Sequence, residues 1–172
     1  YHSEFTYKKV HVNGEAYIVE GTLLPKVAEV CNWENVEEMQ SLQGDEVGAL
    51  EYRHPFIDRI AKLFVGDNFV DNTTGTGFVH IAPGHGMDDY HLGCEQGLPI
   101  YCPVDDNGQF THTDDLPESE QMPTDLLGKS ILEKKGKSEA NEAVVALLRE
   151  KAALVHQESY THSYPHCWRS KT

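Results

Sequence analysis

The apolar residues of this chain fall into short runs separated by polar turns, a pattern typical of small strands and short helices. Residues 5–12 and 17–19 predict two strands, and the Asn13-Gly14 pair between them is a strong hairpin signal. Residues 23–31 predict a short helix, with Pro25 in the first turn, where proline is tolerated. Further short strands are predicted at residues 36–44, 49–54 and 61–65.

The second half of the chain begins with a strand, a bend and a helix. Residues 76–81 (TGFVHI) have the β-branched and aromatic content of a strand, which Pro83 ends. Gly84 and Gly86 allow a tight bend, and a helical pattern opens at Asp88 and continues through DDYHLGCEQGL. A strand, a glycine-rich bend and the start of a helix form a common frame for ligand sites.

The remaining pattern predicts a strand at residues 99–104, a long polar loop at 105–125 and a strand at 154–160. Residues 138–151 give the clearest helix, with Ser138 as N-cap and one apolar face formed by Ala143, Val144, Leu147 and Leu148. The sequence therefore predicts one mixed α/β domain over residues 1–172. We expect a strongly bent sheet or partial β-barrel with two or three flanking helices.

Composition and charge narrow the functional classes. The 172 residues carry 28 acidic and 14 basic side chains, a formal net charge of −14, which argues against a self-sufficient nucleic-acid binder. No apolar run approaches the ~20 residues of a membrane span, so no membrane partner is expected. The four cysteines are scattered without a C-x-x-C pair, a pattern that indicates reduced thiols and a cytoplasmic location.

The residues at 75–90, GTGFVHIAPGHGMDDY, combine histidines and carboxylates with a flexible backbone. His80, His85, Asp88 and Asp89 have the ligand types of zinc or manganese, but their spacing matches no zinc motif, so no metal site is assigned. The segment lacks a G-x-S-x-G nucleophile motif and the lysine of a phosphate-binding loop. Two interpretations stay open here: a ligand pocket with carboxylates facing a cation, or aspartates that only cap a helix.

Four ordered segments carry a resemblance. The segment GTGFVHIAPGHGMDDYHLGCEQGLPIYCPVDDNGQF (75–110) resembles the core signature of the editing domain of bacterial isoleucyl-tRNA synthetases. The segments HPFIDR (54–59), GDNFVDNTTGTG (66–77) and EAVVALLREKAALVHQESYTHSYPHCWRSKT (142–172) agree with it in the expected order. Valyl- and leucyl-tRNA synthetases share this domain, but PGHGMDDY is similar to the isoleucyl version.

The resemblance implies a proofreading reaction. Isoleucine and valine differ by one methylene, which a single pocket discriminates by only about 1–3 kcal/mol, so a second site hydrolyses the errors. The implied substrate is valine esterified to the 3′ end of tRNA(Ile), and in the pre-transfer version valyl-adenylate. The implied partners are that tRNA and the rest of the synthetase in cis. No cofactor is implied for this domain, because ATP is used in the catalytic domain of the synthetase.

The resemblance also implies roles for individual residues. Asp89 matches the aspartate that binds the α-ammonium of the substrate, and His80 matches a histidine that lines the same pocket. Asp88 and His85, with Gly84 and Gly86 of the bend, are carried over as substrate-binding or orienting groups. No general base is assigned in the protein, since a ribose hydroxyl can position the water.

One departure from the family bears on activity. The threonine-rich strand at the start of the editing insertion has no counterpart here, and we expect the chain to be a piece of a longer synthetase. The isolated chain is accordingly expected to hydrolyse its substrate weakly or not at all. Two alternatives remain: a silent binding module for the terminal adenosine or adenylate, and, more weakly, a metal-dependent hydrolase. The insertion interpretation also predicts that Tyr1 and Thr172 are exposed on one face, away from the pocket.

Overall fold

The computed structural model describes residues 1–133 and 136–158. Along this part of the chain, strands β1 (Thr6–Val12) and β2 (Glu15–Glu20) precede helix α1 (Leu24–Val30), and strand β3 (Glu37–Gln43) runs into the short helix α2 (Gly44–Gly48). Strands β4 (Glu51–Arg53) and β5 (Ile60–Lys62), helix α3 (Met87–Glu95) and helix α4 (Glu139–Glu150) follow. Single 3-10 turns lie at Glu118–Glu120 and Thr124–Leu126.

The first sheet has three antiparallel strands in the order β2-β1-β3. Its β1–β2 hairpin turns at Asn13 and Gly14, which both have positive φ angles of 53° and 92°, as the Asn-Gly pair predicts. The β1–β3 pairing shifts register between Lys9 and Val10, so that Met39 of β3 is an extra residue. Such a bulge bends the strand that carries it and increases the local twist.

Both faces of this sheet are covered by apolar side chains. On one side, Val10 and Val12 pack with Val19 of β2 and with Leu23 and Leu24 at the start of α1. Tyr7 belongs to a second cluster with Leu42 and Val47. Alternate residues of a strand point to opposite faces, so β1, the central strand of the sheet, has apolar side chains buried on both sides.

The second sheet is a two-stranded antiparallel pair in which Tyr52 of β4 lies opposite Ala61 of β5. Helix α4 begins at its N-cap, where Ser138 Oγ accepts a hydrogen bond from the amide of Asn141. The same hydroxyl donates to the carbonyl of Ser130, which ties the start of α4 to the preceding loop. The prediction of Ser138 as N-cap is confirmed.

The expected mixed α/β class is confirmed, but its details need correction. Four α-helices are found in the described residues, rather than two or three, because α2 forms where the end of a strand was predicted at residue 44. A capping box stabilises this extra turn: the side chain of Gln43 accepts from the amide of Glu46, and the Glu46 carboxylate accepts from the Gln43 amide. The sheets of the described part form no closed barrel, and β3 carries a bulge, so the expected bent sheet is confirmed only in part.

None of the three strands predicted in the second half is found in the described residues. Residues 76–81 do not pair with a strand, because Gly77 has a φ of +82° and the carbonyls of residues 76 and 77 bond to β2 and to a side chain instead. Residues 99–104 contain Pro99 and Pro103, which lack the amide donors that a ladder requires, and form only an isolated bridge at Val104. In the strand predicted at 154–160, residues 154–158 form no strand, and the last two residues lie outside the described part.

Candidate functional site

The segment that leads into the site is fixed to the first sheet by its backbone. The amide of Glu20 donates to the carbonyl of Thr76 at 2.9 Å, and the hydroxyl of Tyr7 donates to the carbonyl of Gly77 at 2.9 Å. Burial raises the pKa of Tyr7, which keeps this hydroxyl protonated as a donor. A Cβ on Gly77 would lie 2.3 Å from the Cβ of Glu20, so only glycine allows this approach.

The bend that follows is packed between helix α3 and the segment around residue 101. A Cβ on Gly84 would lie 2.1 Å from the carbonyl oxygen of Tyr101, and a Cβ on Gly93 would lie 2.8 Å from the ring of Pro83. The amide of His85 closes the turn by donating to the carbonyl of Ala82 at 2.8 Å. Gly84 therefore brings the bend into contact with the backbone at Tyr101, and Gly93 lets the helix pack against the ring of Pro83.

Asp89 lies in the first turn of α3, as the sequence predicts. Its Oδ1 accepts a hydrogen bond from the amide of Ala82 at 3.0 Å, which ties the helix to the bend. A Cβ on Gly86 would lie 2.1 Å from Asp89 Oδ2, so a side chain at 86 would displace the carboxylate. Asp88, its neighbour in the same turn, is exposed. Both carboxylates are placed where the positive end of the helix dipole favours them.

Beside this bend is a cavity of about 700 Å³. Gly84, His80 and His85 line it, together with the end of the polar loop at Glu120 and Met122. Asp89, Asp88 and Gly86 are not among the described lining residues, but Ala82, to which Asp89 is bonded, is one of them. The structure thus brings His80, His85 and Gly84 to one cavity, and it places Asp89 next to this cavity, in contact with the lining residue Ala82.

His54 is a cavity residue that the site prediction missed. Its Nδ1 accepts from the amides of Phe56 at 3.3 Å and Ile57 at 3.1 Å, so the ring proton of neutral His54 is on Nε2. Burial lowers the pKa of His54, and the positive charges of Arg59 and His80 lower it further. The ring is therefore neutral near pH 7 and offers an N–H donor.

Arg59, the last residue of HPFIDR, is a second cavity residue that the site prediction missed. Its Nε donates to the carboxylate of Glu120, and its Nη1 donates to the hydroxyl of Tyr101 at 2.6 Å. Burial alone would lower the pKa of Arg59, but the hydrogen bonds to Tyr101 and Glu120 outweigh burial and raise it, so the guanidinium stays charged. The motif that contains His54 and Arg59 was visible in the sequence, whereas Glu120 comes from a polar loop without a recognisable pattern.

The expected position of the two chain ends is corrected in part. Tyr1 is half-buried and lines the same cavity as His80, and its amino group donates to the carbonyl of Phe64 at 3.0 Å. Tyr1 is therefore neither exposed nor remote from the pocket. Thr172 lies outside the described residues.

Each helix of the described residues is too short or too polar to cross a membrane. Over residues 1–133 and 136–158, no three histidine, cysteine, aspartate or glutamate side chains are grouped so that they could hold a metal ion.

Comparison with known proteins identifies the relatives of the chain, although no family model matches it. It is 43% identical to an isoleucine–tRNA ligase from Persephonella marina, over 168 residues that cover 98% of this chain and 16% of the ligase. Isoleucine–tRNA ligases from Lactococcus lactis and Bacillus cereus are 38% and 41% identical over 170 residues, which is 99% of this chain and 16–17% of theirs. The chain thus belongs to the isoleucine–tRNA ligase family and spans about one sixth of the length of these relatives.

Proposed function

We propose that this chain is the editing domain of an isoleucine–tRNA ligase and hydrolyses valine from mischarged tRNA(Ile), and valyl-adenylate before transfer. The observation that carries the proposal is the match to isoleucine–tRNA ligases over 98–99% of the chain, which includes the segment of the candidate site. The cavity of about 700 Å³ supports it, because a ligand of the size of an aminoacyl-adenosine needs a pocket of this class.

In the proposed reaction, Asp89 binds the α-ammonium of the valyl ester. Its Oδ1 is already fixed by the amide of Ala82, which leaves Oδ2, beside Gly86, as the oxygen that meets the ammonium. A carboxylate held by a backbone donor has one orientation, and a charged hydrogen bond to it places the ester carbonyl for attack by water. His80 and His85 on the cavity wall contact the substrate, and Asp88 adds negative charge near the ammonium.

The 172 residues act, in this proposal, together with the rest of the ligase. The net charge of −14 repels tRNA phosphates, so in this proposal the tRNA is bound mainly by other parts of the ligase. We expect the isolated chain to deacylate Val-tRNA(Ile) far more slowly than the full-length ligase. An alternative is binding of the terminal adenosine or adenylate without turnover, which is favoured because Asp89 is next to the cavity rather than among its described lining residues.

The test is Asp89→Ala in the full-length ligase. We expect deacylation of Val-tRNA(Ile) to fall by on the order of 10²-fold or more, and valine to accumulate on tRNA(Ile), while isoleucine activation is unchanged. The matched control is Asp58→Ala, which removes an exposed carboxylate whose ion-pair partner among the described residues is Arg53. A ligase that stays accurate with Asp89→Ala contradicts the site, and a wild-type ligase without deacylase activity favours silent binding.

A further inference from the structure

The two ring nitrogens of His54 have different surroundings. Nδ1 accepts hydrogen bonds from the backbone amides of Phe56 and Ile57, at 3.3 and 3.1 Å. Nε2 carries the proton of the neutral ring, and it forms no hydrogen bond with any of the described residues. The Nε2–H group is therefore a donor that is left for water or for a ligand.

This donor is accessible from outside the protein. Among the described residues that are not exposed, Arg59 Nη2 is the one buried side-chain nitrogen or oxygen without a hydrogen-bond partner. Nε2 of the half-buried His54 has no partner either, so it must retain accessible surface. His54 lines the cavity of about 700 Å³ together with His80 and Gly84 of the candidate site. A ligand in this cavity can therefore supply the acceptor for Nε2.

The orientation of the ring is fixed before any ligand binds. The two backbone amides hold its Nδ1 edge, and the ring of Phe56 packs edge-to-face against it with 4.6 Å between the centroids. The backbone of His54 is itself restricted to extended conformations, because Pro55 follows it. A donor whose direction is set in advance needs no reorganisation when charge develops on its acceptor.

The same contacts determine which chemistry Nε2 can perform. A neutral imidazole takes up a proton on the nitrogen that has no hydrogen, and in His54 this nitrogen is Nδ1. A hydrogen on Nδ1 would face the amide hydrogens of Phe56 and Ile57. Burial and the positive charges of Arg59 and His80 also lower the pKa of His54. Nε2 is therefore a neutral donor rather than a general base, as in sites where a neutral imidazole polarises a carbonyl.

We propose that His54 is a catalytic residue of the editing reaction, and that its Nε2–H donates to the carbonyl oxygen of the valyl ester as negative charge develops there. This assignment rests on the proposed function. Water adds to the carbonyl carbon, and the carbonyl oxygen takes up the electron pair of the π bond. The bond from this carbon to the ribose oxygen then breaks. The ribose oxygen receives one proton of the water, and the other is released as valine leaves as a carboxylate. Nε2 keeps its own proton throughout.

The test is His54→Asn in the full-length ligase. The asparagine Oδ1 can accept from the amide two residues on, as in an Asx turn, so the local turn is kept, but the side chain is too short to donate from the position of Nε2. We expect kcat for deacylation of Val-tRNA(Ile) to fall by on the order of 10²-fold, the cost of one oxyanion donor, with KM within about twofold of the wild-type value. Isoleucine aminoacylation by the same preparation should be unchanged, which shows that the ligase is folded.

Two further variants frame this result. His54→Gln offers an amide oxygen to the turn and an N–H donor to the cavity, so its kcat should be only about tenfold below the wild type, at unchanged KM. If His54→Asn loses aminoacylation, His54→Gln decides alone, and a wild-type kcat contradicts the assignment, because a flexible amide cannot replace a fixed ring donor without loss. His91→Asn, at an exposed position of α3, is the matched control and should deacylate at the wild-type rate.

A wild-type kcat in His54→Asn overturns the role of His54. A raised KM at unchanged kcat overturns it as well, because Nε2 would then contact the substrate equally in the ground state and the transition state. Either result leaves the proposed function in place if Asp89→Ala still abolishes deacylation. An accurate Asp89→Ala ligase contradicts the role of Asp89 even if His54→Asn is slow, and a wild-type ligase without deacylase activity overturns both proposals.

Discussion

The first sheet and the cavity region are held together by different kinds of contact. The buried residues of the two apolar clusters come from the sequence range Tyr7 to Val47, and they cover both faces of β1 in the first sheet. The cavity region, from residue 54 onwards, has long irregular segments, and side chains such as Ile60 and Val79 are exposed in it. Its backbone is fixed instead by close approaches at glycines and by single hydrogen bonds.

The difference explains why the candidate site lies where it does. Burial of apolar side chains gives a stable sheet, and the side chains that pack in its two clusters are not available to a ligand. The bend at residues 82–86 is positioned by Gly84, Gly86 and Gly93, because a residue without a side chain allows close contact with its neighbours. His85 in this bend therefore stays exposed. The sheet in turn holds the lead-in segment through Tyr7.

The largest expected effect on stability comes from the first sheet. Leu23 is 3% exposed and packs in the cluster of Val10 and Val12, so Leu23→Ala should lower the free energy of unfolding by about 2–5 kcal/mol. Leu132→Ala is the matched control, because Leu132 is 58% exposed, and its change should stay within about 0.5 kcal/mol. Urea denaturation of the two variants measures both values. A similar loss for both leucines would remove the distinction between the two regions.

The next effect concerns the cavity region and rests on the proposed function. A Cβ at residue 86 would lie 2.1 Å from Asp89 Oδ2, so Gly86→Ala must move the carboxylate. Gly86 has a φ of −146°, which alanine adopts without strain, so the fold should be retained. We expect deacylation by the full-length ligase to fall by about 10²-fold, since a misplacement of about 1 Å has this cost.

The neighbouring Met87→Ala serves as the control for Gly86→Ala. Met87 is the first residue of α3 and 71% exposed, so its truncation changes the same turn without touching the carboxylate. Its deacylation rate should stay near that of the wild-type ligase. If Gly86→Ala deacylates as fast as Met87→Ala, the close approach at residue 86 does not position Asp89 for the reaction.

The same comparison shows which elements the sequence could predict. The β1–β2 hairpin, α1 and α4 were predictable because each has a local signal: Asn-Gly at the turn, proline in a first turn, and a serine N-cap. The predicted strand at 76–81 failed because its residues suit a strand while the fold uses them as a lead-in bonded to Tyr7 and Glu20. Those partners are more than fifty residues away, and local pattern carries no information on them.

The candidate site was predictable to a similar extent. Asp89 at a helix start and the bend at Gly84 and Gly86 follow from residue types in one segment. The Arg59–Tyr101–Glu120 contacts join three separate segments, so the sequence could indicate Arg59 within a motif but not its partners. The position of Asp89 next to the cavity also depends on its hydrogen bond to Ala82, which the local sequence does not indicate.

The smallest expected effect is a pH dependence that belongs to the cavity region. Burial and the charges of Arg59 and His80 lower the pKa of His54 below its ordinary value of 6.5. As the pH falls below that value, the unfolded chain binds a proton at His54 before the folded chain does. The stability that His54 contributes is therefore present above pH 6.5 and is lost as the pH falls through the lower pKa of the folded state.

We expect His54→Gln to reduce the decline in the free energy of unfolding between about pH 7 and pH 5, because glutamine does not titrate in this range. Its amide oxygen can replace Nδ1 as the acceptor for the amides of Phe56 and Ile57, so a change in slope reports the titration rather than a lost contact. His91→Gln, at an exposed position of α3, should keep the wild-type slope. Urea denaturation at a series of pH values measures the three slopes. An identical slope for the wild type and His54→Gln would show that His54 is protonated as readily in the cavity as in the unfolded chain, and that the cavity region is not the pH-sensitive part of this comparison.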